Sequence, residues 1–163
     1  QQVNGRVEHG VIYDPLRDEL YTASRGKGAL LNSQRIRVSE RKELETAILA
    51  TAFPFRDRSA MPRYTKIFSS VYRKVEDIRR SGSAALDLAW TAAGRLDGYF
   101  EMELAPWDVA AGALIVREAG GVVSDFAGND RVEDGGSVLA APFKLTTPLR
   151  RLIAPHWRDD DKA

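Results

Sequence analysis

Alternating apolar and polar positions near the start of the chain predict paired strands. Val11 and Tyr13 alternate with other residues before Asp14-Pro15, and a second apolar stretch covers 20–24. Alternation is typical of a half-buried strand, and an Asp-Pro pair marks a turn. The two stretches therefore predict a β-hairpin.

Further along, the spacing of apolar residues predicts strands and helices in turn. The predicted elements are a half-exposed strand at 35–38, a buried strand at 46–53, a helix from Pro62, a strand at 75–78, an alanine-rich helix from Ser83 to Gly94, a strand at 96–101, a buried helix at 108–119, strands at 122–126 and 138–141, and a short helix opened by Thr147-Pro148. Such an order predicts an α/β fold, a layered α/β sandwich with a mixed sheet.

Composition describes an ordinary folded domain. The chain has 163 residues, of which 44% are hydrophobic and 29% charged, which excludes a largely disordered or fibrous chain. We expect one domain over 1–154 and a frayed tail over 155–163, where three aspartates are consecutive.

Charge and cysteine content narrow the classes of function. Lys plus Arg number 24 against 23 for Asp plus Glu, so a net charge of +1 gives no support for direct nucleic-acid binding. The absence of Cys excludes disulfides, cysteine nucleophiles and zinc fingers. No stretch approaches the ~18 apolar residues of a membrane span. We expect a cytoplasmic protein without a membrane partner.

The region 82–121 contains the candidate chemistry. Two predicted helices begin there, after Gly82-Ser83 and at Asp108, and helix N-termini bind phosphate. Strand alternation predicts that Glu101 and Glu103 share a face. Carboxylate and phosphate oxygens are the ligands that magnesium prefers, so the region predicts a metal and phosphate site.

Each of these residues also has a purely structural interpretation. Asp108 before an apolar helix is typical of an N-cap, and spacing alone favours that role over a metal ligand. Glutamates at the end of a strand are usually solvated. Trp107 is most simply interpreted as a core anchor.

Longer strings resemble a known family. The segment WDVAAGALIVREAGG at 107–121 resembles the C-terminal signature of the inositol monophosphatase family. The string RRSGSAALDLAWTAAGRLDGYFEMELAPWD at 79–108 and the earlier GVIYDPLRDELYTASRGKGALLN are similar to the segments that precede it. RRSGSAALDLAW and ATAFPFR most resemble the bacterial extragenic-suppressor type of the family.

The resemblance implies roles for particular residues. Asp108 matches a metal-coordinating aspartate beside the substrate hydroxyls, and Glu101 matches a carboxylate that accepts hydrogen bonds from a sugar-alcohol ring. Gly82, Ser83 and Ala84 match the substrate-contacting loop and helix start. The implied reaction is Mg2+-dependent hydrolysis of a phosphate monoester, inositol 1-phosphate, by a protein that is usually a homodimer in the family.

The chain departs from the family at its N-terminal side. A Glu-Glu element and an Asp-Pro-x-Asp-Gly-Thr motif, which supply most metal ligands in the family, are absent from this sequence. In the string DPLRD, from Asp14 to Asp18, the second aspartate is one place late and no Gly-Thr follows. We therefore expect the C-terminal portion of the inositol monophosphatase or sugar phosphatase fold, inactive by itself.

Two other functions stay open at this point. One is a related phosphatase that acts on fructose 1,6-bisphosphate or a phosphoadenosine nucleotide. The other is a non-catalytic role, because relatives of the suppressor type are implicated in transcription antitermination through protein contacts.

Overall fold

In a computed structural model, described here over residues 1–157, strands and helices alternate along most of the chain. The strands are β1 Gln2–Val3, β2 Arg6–Val7, β3 His9–Asp14, β4 Glu19–Ser24, β5 Gly28–Leu31, β6 Gln34–Arg35, β7 Ile48–Thr51, β8 Asp77–Arg79, β9 Gly98–Leu104, β10 Val122–Ser124 and β11 Gly136–Ala141. The helices are α1 Met61–Tyr72, α2 Ala84–Ala92, α3 Pro106–Glu118 and α4 Phe143–Ile153, with 3-10 turns at Leu44–Thr46, Arg58–Ala60 and Ala154–His156.

The strands form two main sheets and a small antiparallel pair, β1 with β2. The larger has five strands in the order β10-β11-β9-β7-β8, and β7 runs parallel to both β8 and β9 while the other pairs are antiparallel. The smaller is antiparallel, with four strands in the order β3-β4-β5-β6. The predicted α/β sandwich with a mixed sheet is confirmed.

The helices α2 and α3 separate the two main sheets, and α1 and α4 cover the outer face of the larger sheet. One apolar core joins Tyr21 of the smaller sheet, Leu88 of α2, Val116 of α3 and Tyr99 of the larger sheet. A second core lies on the opposite face of the larger sheet, where α1 and α4 pack. The order of layers is therefore sheet, helix pair, sheet, helix pair, and α2 and α3 are covered on both sides.

The predicted hairpin is present, and its turn has a clear cause. One carboxylate oxygen of Asp14 accepts a hydrogen bond from the Leu16 backbone N–H at 3.0 Å, and the other accepts from the Arg17 guanidinium at 2.9 Å. The apolar pair Val11 and Tyr13, however, lies on the open face of β3, with 61% and 52% of each residue exposed.

Most predicted elements differ from the observed ones by a few residues, and three of the differences have a cause in the structure. The buried strand is shorter, because Thr46 belongs to a 3-10 turn. The half-exposed strand at 35–38 was wrong beyond β6, since the Val38 N–H instead donates to the Ala119 carbonyl at 3.2 Å. The last helix begins before Thr147, at Phe143, and contains Pro148 in its interior.

The end of the described chain is packed. Trp157 lies edge-on to Phe126, with 5.2 Å between ring centroids. Residues 158–163 lie outside the described part, and the tail at 155–163 stays a prediction there. Within residues 1–157, no helix combines the length and apolar character that a membrane crossing requires.

Candidate functional site

The candidate residues lie around the ends of three neighbouring strands. Because β7 is parallel to β8 and β9, their carboxyl ends point towards one edge of the sheet. Gly82 and Ser83 follow β8, and Asp108 follows β9. Glu101 lies in the middle of β9, next to Phe100, which pairs with the last residue of β7, Thr51. This edge is where open α/β sheets bind ligands.

The loop before α2 has the local structure that the sequence predicts. Ser83 is the N-cap, and its hydroxyl accepts a 3.4 Å hydrogen bond from the Leu86 N–H. Gly82 adopts a φ of +97°, a conformation that side chains disfavour. Gly82 is exposed, and Ser83 and Ala84 are half-buried, so the N-terminus of α2 is open to a ligand.

A buried aspartate, Asp87, is linked to this loop by hydrogen bonds through Ser81. The Ser81 hydroxyl donates to Oδ1 of Asp87 at 2.7 Å and accepts from the Ser83 N–H at 3.3 Å. Asp87 is 1% exposed, and its Oδ2 atom has no hydrogen-bond partner. Burial raises the pKa of Asp87 to about 6, partly opposed by the Ser81 hydrogen bond.

Glu101 is a second buried carboxylate at the same edge. It is 3% exposed, and the Tyr99 hydroxyl donates a hydrogen bond to its Oε2 atom. Burial raises the pKa of Glu101 to about 7; the Tyr99 hydrogen bond opposes this rise, and the nearby charges of Asp87 and Asp108 add to it. Tyr99 and the strand therefore hold Glu101 in one orientation.

Glu103 does not share the face of Glu101, so that prediction was wrong. Its φ of +62° interrupts the strand geometry. As a result Leu104 joins the same core as Tyr99, whereas Met102 belongs to the opposite one. Glu103 instead lies near Asp57, and burial and that negative charge raise its pKa.

Asp108 lies at the start of α3, but it is not the N-cap. The N-cap is Ala105, and Asp108 is the third helical residue. Its Oδ2 atom accepts a hydrogen bond from the Ala105 N–H at 2.9 Å. The same atom also pairs with the Arg56 guanidinium at 2.8 Å. The carboxylate thus satisfies a helix-terminal donor, as the acidic residue of a capping box does.

Trp107 is not a core anchor, because 78% of it is exposed. It occupies the first turn of α3 directly after Pro106. At this point the helix has only begun to enter the core, and its first fully buried residue is Val109. The exposed indole therefore lies beside Asp108 in sequence without contributing to the core.

Asp108 fits a divalent cation as a single ligand. Its carboxylate is partly accessible and already pairs with a cationic group, the Arg56 guanidinium. Over residues 1–157, however, no cluster of three or more Asp, Glu, His or Cys side chains could hold a metal ion. The described residues therefore do not form a complete set of metal ligands, and Asp108 could contribute at most one of them.

Sequence analysis missed two residues of this edge. Arg56 follows the buried strand β7 after Pro54, and Asp87 is the single acidic residue in an otherwise apolar helix. An isolated charge within an apolar helix was a usable signal for Asp87. Nothing local distinguishes Arg56 from the other surface arginines, because its partner is far along the chain.

The fold defines a class of protein, a layered α/β sandwich with a mixed sheet, and comparison identifies the family. Residues 2–160 match the model of the inositol monophosphatase family. The chain belongs to the inositol monophosphatase family, as its signature segments predict.

Individual relatives agree with this assignment. The chain is 50% identical over 154 residues to the Nus factor SuhB of Pseudomonas aeruginosa, covering 93% of this chain and 57% of that protein. A crystal structure of the extragenic suppressor protein suhB from Bartonella henselae superposes with a TM-score of 0.89 at 43% identity, covering 93% of this chain and 58% of that one.

An inositol monophosphatase from Anabaena gives a TM-score of 0.82 at 37% identity, with coverage of 94% of this chain and 63% of that one. The chain thus spans a little under two thirds of these relatives.

Proposed function

We propose that the gene product carrying this chain hydrolyses a phosphate monoester, inositol 1-phosphate, in a Mg2+-dependent reaction. One observation carries the proposal: Glu101, Asp108 and the open N-terminus of α2 lie at the same carboxyl edge of the sheet. Membership of the inositol monophosphatase family supports the reaction class.

Each residue at this edge has its own role in the proposed reaction. Glu101, held by Tyr99, accepts hydrogen bonds from ring hydroxyls of the sugar alcohol. The loop of Gly82 and Ser83 presents backbone N–H groups to the substrate at the positive end of α2. Ser81 and Asp87 support that loop.

Asp108 would hold a magnesium ion on its partly accessible carboxylate. Bound magnesium supplies polarisation of the phosphoryl oxygens, activation of water and stabilisation of the leaving alkoxide. Hard cations favour carboxylate oxygen and usually take only one or two protein carboxylates, which matches the single ligand that this part of the chain offers. The remaining ligands would come from the Glu-Glu and Asp-Pro-x-Asp-Gly-Thr elements that the family resemblance implies.

Asp108→Asn in the full gene product tests this role. Asn keeps an oxygen that can accept from the Ala105 N–H, so helix stability should change little. Loss of the negative charge should reduce Mg2+-dependent phosphate release from inositol 1-phosphate by more than the roughly 10–100-fold typical of changes outside the ligand shell. Asp108→Ala is the control that also loses the hydrogen bond. Parental turnover of the Asn variant at limiting magnesium contradicts the proposal.

The same assay decides between substrates. Fructose 1,6-bisphosphate and a phosphoadenosine nucleotide are the alternatives within the superfamily, and each is offered to the parent protein at equal concentration. Preferential release from either would replace inositol 1-phosphate as the substrate.

A protein-binding role in transcription antitermination is the second candidate function. It is favoured by the similarity to several proteins named Nus factor SuhB, including that of Escherichia coli at 51% identity over 139 residues. A cytoplasmic homodimer suits either role. If the Asp108→Asn variant loses hydrolysis but still supports antitermination in cells that lack the parental gene, the two functions are separate.

A further inference from the structure

Arg56 is a cationic residue at this edge, and the family resemblance gave it no role. It follows β7 by way of Pro54 and Phe55, and so reaches the same edge as Asp108. The two residues are 52 positions apart in the chain. The contact therefore exists only because β7 and β9 are parallel neighbours.

Three contacts hold the Arg56 guanidinium in place. Nη2 pairs with Oδ2 of Asp108 at 2.8 Å, and Nη1 donates to the Glu103 carbonyl at 3.2 Å. The guanidinium also lies over the Phe55 ring, 4.7 Å from its centroid. About a third of the side chain stays exposed, 35%. This is an arrangement with one defined orientation and not a freely solvated arginine.

The guanidinium therefore already pairs with the carboxylate that a divalent cation would use, at its Oδ2 atom. We propose, on the basis of the proposed function, that Arg56 is an internal counter-ion of Asp108 with which a metal ion must compete, so that Arg56 lowers the metal affinity of the site. Two cations repel each other at one carboxylate, and the repulsion is stronger where the surroundings exclude water. When no metal is bound, the same pair keeps Asp108 oriented and its charge neutralised.

The local charges explain why such a counter-ion is useful. Asp108 and the buried carboxylates Asp87 and Glu101 lie close enough for their charges to interact, and Arg56 opposes that interaction. Without a cation, the negative charges of Asp87 and Asp108 both oppose a charge on Glu101. Arg56 reduces this repulsion in the metal-free protein, and competition with Arg56 weakens binding of the metal.

Arg56→Gln in the full gene product removes the charge while keeping a polar side chain of similar reach. Binding of Mn2+, a paramagnetic substitute for magnesium, is measured directly by electron paramagnetic resonance, without substrate. We expect the Gln variant to bind Mn2+ about fivefold or more tightly than the parent, the lower end of typical coupling between two sites. Its melting temperature in chelator should fall, and its rise on adding Mn2+ should exceed that of the parent.

Two further variants test whether the change in Mn2+ binding is specific to the Arg56–Asp108 pair. Arg58→Gln removes the same charge from an exposed position two residues away and should leave Mn2+ binding unchanged. In the Asp108→Asn background, Arg56→Gln should no longer tighten binding, because the carboxylate for which the two cations compete is gone.

Unchanged or weaker Mn2+ binding by Arg56→Gln overturns the proposal. So does a loss of affinity for inorganic phosphate without a gain in metal affinity, which would make Arg56 an anion-binding residue. The proposed function fails in a different way: Mn2+ binds and responds to Arg56→Gln, but inositol 1-phosphate is not hydrolysed.

Discussion

Gly112 of α3 lies so close to Leu88 of α2 that a Cβ atom at Gly112 would be 2.6 Å from the Leu88 Cβ atom. Real Cβ atoms do not approach so closely, so the missing side chain is what allows the two helices to touch. These helices carry Ser83 and Asp108 in their first turns. Their close packing therefore sets the distance between the two halves of the candidate site.

Gly112→Ala should destabilise the protein. Ala is more favourable than Gly in a helix by about 1 kcal/mol, but overpacking of a core costs about 1–3 kcal/mol. The clash involves the Cβ atom of Leu88, which no side-chain rotation can move away. Urea unfolding measures the net change. Lys66→Ala and Lys66→Gly, at an exposed position of α1, measure the Ala-to-Gly difference alone. A stabilised Gly112→Ala variant would show that the helices separate easily.

Asp87 should make stability depend on pH in the direction opposite to that of a paired surface carboxylate. Its folded pKa is about 6, against an ordinary 3.8, so the folded state binds the proton more tightly than the unfolded state. The penalty for burying the charge is complete above pH 6 and disappears as the pH falls towards 3.8.

Asp87→Asn removes that penalty. The variant should gain at most about 3 kcal/mol over the parent at pH 8, from 1.36 kcal/mol per unit of pKa shift, and the gain should shrink by pH 5. Urea unfolding at both pH values measures it. Asp18→Asn makes the same substitution at an exposed turn outside the core and serves as the control. A gain that is equal at both pH values contradicts a raised pKa of Asp87.

The 163-residue chain alone should release no measurable phosphate from inositol 1-phosphate, with or without Mg2+. Asp108 and Glu101 cannot by themselves surround a metal ion, since residues 1–157 contain no metal-binding cluster of three acidic, His or Cys side chains. Phosphate release over hours, by a preparation whose mass is verified, is the measurement. Robust turnover would mean that a metal is held by a different arrangement.

The smaller sheet should make this chain self-associate. Val11 and Tyr13 lie on the open face of β3, and Leu20 of β4 is 41% exposed. Contiguous exposed apolar surface promotes association. Light scattering should show assemblies at high concentration, and Val11→Thr with Tyr13→Thr should reduce them. Phe143→Ser, which removes an exposed aromatic residue from α4, should not. Monomeric parent protein at high concentration contradicts this prediction.

Local signals were sufficient for much of the fold. Ser83 as an N-cap, and Gly94 and Gly120 after helix ends, were predictable because capping depends on a few neighbouring residues. The hairpin turn at Asp14 was predictable for the same reason. The family resemblance also identified Glu101 and Asp108, which the structure brings to one edge.

The start of α3 shows where local sequence signals are ambiguous. An acidic residue before an apolar helix serves equally well as the N-cap or as the third helical residue. Which of these two roles Asp108 takes depends on where the chain leaves β9, just before Ala105. That point depends in turn on the left-handed backbone of Glu103. Strand alternation cannot predict such a break, because nothing in the residues around Glu103 requires it.

The sequence by itself determined the alternation of strands and helices, the Ser83 cap of α2 and the family, because these depend on short-range geometry and on contiguous strings. Only the tertiary structure decided which faces are buried and which distant residues meet. Trp107 is exposed, Val11 lies on the open face of its strand, and Arg56 pairs with Asp108. Burial and ion pairing of this kind depend on contacts between residues far apart in the chain, and those contacts exist only after the layers have packed.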